Sequence, residues 1–160
     1  MLKILLGFMF LGLCGSGGYW FALELKKREK FYLSLVDFVA FAKAKISFLQ
    51  SNLKDLFLSF VGQSEDFKSL LAWRAELVES PSAKRPEKPA FLKDDEFEDV
   101  CAFFEKMGKS DVENECAILE EQGQIFREKH RKAEAEKDKK FGAYTKLGFA
   151  LGCVIFVLIL

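Results

Sequence analysis

The last third of the chain has the pattern of one very long helix. Residues 108–160 contain no proline and no run of glycines. Ser110 is followed three residues later by Glu113, which is the capping-box pattern of a helix N-terminus. About fifty helical residues reach roughly 75 Å, several times the length of an ordinary globular helix. The sequence therefore predicts an arm that begins at a defined cap and ends in an apolar tail.

Both ends of the chain are apolar enough to enter a bilayer. Residues 1–24 hold a single basic side chain, Lys3, and a helix of this length crosses a hydrocarbon core of about 30 Å. Residues 147–160 are wholly apolar but reach only about 21 Å. A lysine that snorkels to the headgroups lengthens this segment. We therefore predict an N-terminal transmembrane or signal-anchor helix over 1–24 and a C-terminal transmembrane helix over 141–160.

Basic residues lie on the inner side of both apolar segments, whereas the outer side has only Lys3 and the amino terminus. Because basic loops tend to stay in the cytoplasm, residues 25–140 are predicted to form a cytoplasmic domain in a cell-membrane protein. The same side chains suit anionic lipid headgroups, so membrane lipids are a predicted partner. The flanking residues are Lys26, Lys27, Arg28, Lys30, Lys137, Lys139, Lys140 and Lys146.

A cleaved signal peptide is the alternative interpretation of the first segment. Residues 15–18, Gly-Ser-Gly-Gly, offer small side chains at which a signal peptidase could cut. In that case the chain would be an exported structural protein of the cell envelope. The basic cluster directly after the apolar run opposes export and favours the membrane anchor. A lipoprotein anchor at Cys14 is disfavoured because Leu13 stands where a small residue is needed.

The segment between the apolar ends has the pattern of a small helical bundle. Apolar residues recur at helical spacing from Phe31 to Phe48, so the first helix should continue directly from the membrane segment. A short helix is predicted over 53–61, ended by Gly62 in the usual terminating position. Ser64 is the expected N-cap of the next helix. The fold class predicted is all-α.

The three prolines of the chain mark one loop over residues 80–90. A further helix is predicted over 94–107, with acidic residues at its start and Gly108 at its end. Its apolar face consists of Phe97, Val100, Cys101, Phe103 and Phe104.

In the long last helix, the apolar seam ends at Phe126. From Arg127 to Lys140 the sequence is charged on every face, which predicts a solvated stalk. Near the end, Gly148 and Gly152 form a small-xxx-small pair that would let the tail pack closely on another membrane helix.

Composition and motifs give little support for catalysis. The formal net charge is zero, so no global field favours nucleic acid. The single histidine, His130, lies in the charged stalk, and no Gly-rich phosphate loop or zinc-ligand spacing occurs. Cys101 and Cys116 are expected to be reduced thiols on separate helices. We predict a protein that is not an enzyme, with no cofactor, no metal, no nucleic acid and no small-molecule substrate.

Several short motifs together resemble the stage III sporulation protein AB family. They are residues 103–111 (FFEKMGKSD), the long charged helix, Tyr144-x-Lys146-Leu147-Gly148 with Gly152, and the pair Gly18 and Ala22. The resemblance makes Gly108, Ser110 and Asp111 the motif residues, and their spacing suits a chain reversal and a helix cap.

The resemblance implies a helical domain similar to the F-type platform domains of type II secretion systems. It also implies a place in the outer forespore membrane, as a platform or scaffold subunit of a secretion-like channel complex between mother cell and forespore. The implied partners are a secretion-type ATPase and ring-forming proteins of the same complex.

Overall fold

The structure, a computed structural model, describes residues 2–49 and 53–159. These residues form five helices and no strand, so the predicted all-α fold with a very long last helix is confirmed. The first helix runs without a break through the predicted membrane segment and into the domain. The helices are α1 (Leu2–Leu49), α2 (Leu53–Ser59), α3 (Glu65–Glu79), α4 (Asp94–Lys106) and α5 (Val112–Ile159).

The chain divides into two compact units. One consists of Met1–Glu29 with Lys132–Leu160, and the other of Lys30–Arg131. We call them the paired-helix unit and the bundle unit. The predicted boundaries at 24 and 140 concern membrane segments and stay a prediction.

Phenylalanine side chains form the core of the bundle unit. The ring of Phe38 in α1 stacks on Phe57 of α2 with 5.8 Å between centroids, and it contacts Phe104 of α4 at 5.3 Å. Phe67 of α3 packs edge-on against Phe38 at 5.9 Å. Pairs of this kind add about 0.5–1.5 kcal/mol each to the stabilisation that comes from area burial. One buried ring in α1 therefore joins three other helices.

The predicted apolar face of α4 is the buried face of that helix. Phe103 attaches α5 to the bundle, because its ring packs edge-on against Phe126 at 5.3 Å. The proline loop, residues 80–93, lies outside the helices and is tied to α4 through Arg85. The Arg85 guanidinium donates to Glu98 at 3.1 Å and to Glu105 at 2.7 Å.

The prediction for the end of α2 is wrong. The helix ends at Ser59, and among the described glycines only Gly108 has a positive φ. Gly62 is buried, and a Cβ there would lie 3.0 Å from Cδ1 of Phe67. The physical role of Gly62 is therefore to make room for that ring, and no left-handed helix terminus is needed.

The Phe104→Ala substitution should destabilise the chain by about 3–5 kcal/mol, because it empties the centre of the ring cluster. Leu58→Ala is the control, since the Leu58 side chain is mostly exposed, and should cost about 0.5 kcal/mol or less. Denaturant unfolding of the full chain in detergent, followed by helical circular dichroism, measures both. Equal midpoints for the two variants would contradict the central role of the cluster.

Candidate functional site

In the paired-helix unit, the backbones of α1 and α5 touch at two glycines. A Cβ added to Gly18 would lie 2.7 Å from the Tyr144 carbonyl oxygen and 3.0 Å from Cα of Gly148. The rings of Phe21 and Tyr144 lie beside this contact, with 6.4 Å between centroids. Gly18 of α1 lies against Gly148 of α5, and Arg28 further along α1 contacts Glu136, which comes earlier in α5. The two helices are therefore antiparallel. Gly148 of the predicted small-xxx-small pair thus packs against α1 of the same chain.

Gly152, the other member of that pair, is also buried, as is Ala22 of α1. Small side chains at both positions suit a close helix contact.

Ion pairs join the same two helices nearer the charged segment. Arg28 Nη1 donates to Glu136 Oε2 at 3.1 Å, and Lys137 Nζ lies 3.8 Å from Glu29 Oε1. Ala133 is only 4% exposed. The prediction of a stalk solvated on every face is therefore wrong for this segment, because it uses one face to pair with α1.

The predicted membrane-flanking basic residues fall into two groups. Arg28 and Lys137 take part in the pairing of α1 with α5. The remaining side chains either form ion pairs within their own helix, as Lys27 and Lys140 do, or are exposed at the surface. The exposed lysines that form no ion pair within the described part of the chain are Lys26, Lys30, Lys139 and Lys146.

Within residues 13–21 and 147–158, the described surface of the paired-helix unit carries many exposed apolar side chains. Soluble monomers seldom expose large apolar patches, whereas this surface suits a hydrocarbon environment. Among the described residues, α5 is the helix long and apolar enough to cross a membrane. Most side chains of residues 1–15 lie outside the described part, so the predicted membrane helix over 1–24 stays a prediction. The exposed residues include Leu13, Tyr19, Trp20, Leu147, Phe149, Leu151, Val154, Val157 and Leu158.

In the bundle unit, a buried arginine holds the end of α4. Arg74 of α3 donates from Nε to the Phe104 carbonyl at 2.5 Å and from Nη2 to the Met107 carbonyl at 2.9 Å. The last carbonyls of a helix lack intrahelical partners, so these bonds replace water at a buried helix end. Burial lowers the pKa of Arg74, although Glu105 and Glu115 act to raise it.

Gly108 reverses the chain between α4 and α5. Its φ is 83°, in the left-handed region that glycine adopts without a steric penalty. Its N–H donates to Oε1 of the buried Glu115 at 2.8 Å, and a Cβ there would lie 2.5 Å from Cδ2 of Leu53. The predicted reversal at Gly108 agrees with this geometry. The contribution of Arg74 and Glu115 was not predicted, although each is a charged residue within an apolar helix face.

The predicted cap at Ser110 is displaced by one residue. Helix α5 begins at Val112, and the Glu115 N–H donates to the Asp111 carbonyl at 2.9 Å, which puts Asp111 at the N-cap. Asp111 Oδ1 also accepts a hydrogen bond from Asn114 at 2.5 Å. Ser110 and Glu113 are exposed. The left-handed turn at Gly108 adds one more residue before the helix than the capping-box pattern assumes.

Cys101 is buried, and burial raises the pKa of its thiol to about 11. The thiolate that a nucleophile or metal ligand requires is therefore scarce at neutral pH. Among the described residues, no group of three histidine, cysteine, aspartate or glutamate side chains is placed to hold a metal ion.

The fold and the paired helices together define an all-α protein with one helical bundle unit and one apolar two-helix unit. The chain belongs to the stage III sporulation protein AB family, since the model of that family matches residues 3–160, and it is therefore a sporulation-related protein. No curated protein and no solved structure gave a significant match.

Gly18→Ala should destabilise the paired helices by about 1–3 kcal/mol, because the new methyl group would push the α5 backbone away. Gly17→Ala is the matched control. A Cβ at Gly17 meets nothing within 4 Å, and alanine favours a helix over glycine by up to about 1 kcal/mol. Thermal unfolding of the full chain in detergent micelles measures both. A Gly17→Ala loss as large as that of Gly18→Ala would contradict the contact.

Asp111→Ala should cost about 1 kcal/mol, through loss of the cap position and of a carboxylate at the positive end of the α5 dipole. Ser110→Ala should leave stability within about 0.5 kcal/mol of the parent chain, because Ser110 is exposed outside the helix. Denaturant midpoints of the two variants decide between the positions. A larger loss at Ser110 would restore the capping box as first predicted from the sequence.

Proposed function

We propose that the chain is a non-enzymatic membrane subunit of a sporulation-specific, secretion-like channel complex between mother cell and forespore. In this role the bundle unit is a cytoplasmic platform for other subunits, and the paired-helix unit anchors it in the cell membrane. Membership of the sporulation family supports the setting. The resemblance described above supplies the outer forespore membrane as the location, and a secretion-type ATPase and ring-forming proteins as partners.

The observation that carries the membrane anchor is the two-sided character of the paired-helix unit. Its inner side is closed by the Gly18 and Gly148 contact and by the Arg28–Glu136 ion pair. Its outer side exposes apolar side chains, including Trp20 at 68%. In hydrocarbon, close packing of small residues favours helix association, because lipid tails are as apolar as the side chains. A bilayer accounts for both sides.

Aromatic and basic residues further support an interfacial level near the middle of each helix. Tyr19 and Trp20 are exposed, and Tyr144 lies on the neighbouring helix beside Phe21. Tyrosine and tryptophan favour the membrane–water interface, and basic residues next to it favour the cytoplasmic side. Lys26 and Lys139, both exposed, lie beyond the aromatic level in their helices. This order supports a cytoplasmic bundle unit that contacts anionic headgroups.

The exported alternative requires cleavage near residues 15–18. Those residues lie within the continuous helix α1, and Gly18 contacts α5. Cleavage there would remove the part of α1 that covers Gly148 and would expose that glycine. The geometry therefore favours a retained first helix over a signal peptide.

Thiol labelling in intact cells tests the orientation of the bundle unit. Cys101 is unsuitable because it is buried, so the test uses Ser82→Cys in the exposed proline loop. With a membrane-impermeant maleimide, we expect no labelling above the parent chain in intact cells and strong labelling after permeabilisation. Labelling of Ser82→Cys in intact cells would refute the cytoplasmic platform. The intact mass of the extracted chain then reports whether the first segment is retained.

A further inference from the structure

A groove of about 530 Å³ lies in the bundle unit beside the turn between α4 and α5. Leu77, Val78 and Pro81 form its apolar wall. Val78 is 42% exposed, so this wall is open to a partner from outside. Arg74, Glu105 and Lys109 supply the charged part of the lining.

The charges of the groove are not balanced. Glu105 is paired with Arg85, whose guanidinium donates two hydrogen bonds to Oε1 of that carboxylate. Lys109 is exposed and has no ion pair within the described part of the chain. The lining therefore keeps positive charge next to aliphatic surface.

Arg74 has donor capacity left over. Nε and Nη2 donate to the two carbonyls of the α4 terminus, and within residues 2–49 and 53–159 Nη1 donates no hydrogen bond. A guanidinium has five N–H donors in a fixed plane, which suits a carboxylate. The carboxylates of Glu105 and Glu115 only partly offset the burial of this cation, since its pKa is lowered. An added anion would stabilise it further.

We propose that this groove receives a segment of a partner protein in which an acidic side chain stands beside aliphatic ones. The carboxylate lies between Arg74 and Lys109, and the aliphatic side chains cover Val78 and its neighbours. The excess positive charge of the lining favours an acidic side chain. The exposed apolar wall favours a protein segment over a small free anion, because only the segment would cover that wall. The inference deepens the proposed platform role and rests on it for the existence of a partner.

Photo-crosslinking of the full-length chain in sporulating cells tests the groove. A benzoylphenylalanine replaces Val78, and mass spectrometry identifies the attached peptide. We expect a segment of a different protein with Asp or Glu within one helical turn of the attached aliphatic residue. Lys109→Glu should lower the crosslinking yield about tenfold, because like charges then face each other. Lys106→Glu, an exposed lysine of α4 that does not line this groove, should leave the yield unchanged.

Crosslinks to a second copy of this chain, to lipid, or to segments without an acidic residue would overturn the inference. So would absence of a crosslink, or equal yields from Lys109→Glu and the parent chain. Thermal midpoints of both lysine variants confirm that each is folded. Labelling at Ser82→Cys tests the cytoplasmic platform separately: an acidic crosslinked segment together with outside labelling would uphold the groove and refute the platform.

Discussion

The antiparallel packing of α5 on α1 depends on glycines, which have no side chain to hold the two helices apart. In the paired-helix unit, Gly18 lets the α5 backbone approach to a distance that a methyl group would block. In the bundle unit, Gly123 of α5 packs against Val39 of α1, where an added Cβ would lie 3.1 Å from the valine. The dispersion attraction between two atoms falls steeply with their separation, so a closer approach of two helices strengthens many small contacts at once. Glycine at these positions lowers the intrinsic stability of each helix but increases the area over which the two helices are in contact.

The turn that precedes α5 is held by two buried charged side chains. Arg74 and Glu115 are both nearly inaccessible, and desolvation of an ion costs several kcal/mol. Each charge recovers part of this cost by binding backbone groups that a helix end or a reversed turn leaves unpaired. Glu115 also attracts Arg74 electrostatically. The two charges therefore fix where α4 stops and how α5 starts, which hydrophobic packing alone specifies poorly.

The sequence allowed local features to be predicted well, because periodicity and turn chemistry are local. The apolar face of α4 and the reversal at Gly108 follow from residues within one or two turns of each other. The pairing of Arg28 with Glu136 spans 108 positions, and nothing near Glu136 indicates that it will meet a cation of α1. The N-cap is Asp111 and not the predicted Ser110, because the left-handed turn at Gly108 takes up one more residue before α5 begins. Long-range partners and exact helix starts thus required the structure.

Basic residues beside a long apolar helix segment can have two roles that the sequence cannot separate. A positive charge there biases orientation whatever its neighbours are, because the bias depends on where lysine and arginine are counted. Arg28 and Lys137 are also committed to carboxylates of the facing helix. Lys26 and Lys139 are exposed at the surface and take no part in the ion pairs described between the two helices. The exposed Lys26 and the paired Arg28 therefore lie within a single turn of α1, and only the structure separates the side chain that pairs the helices from the one that stays at the surface.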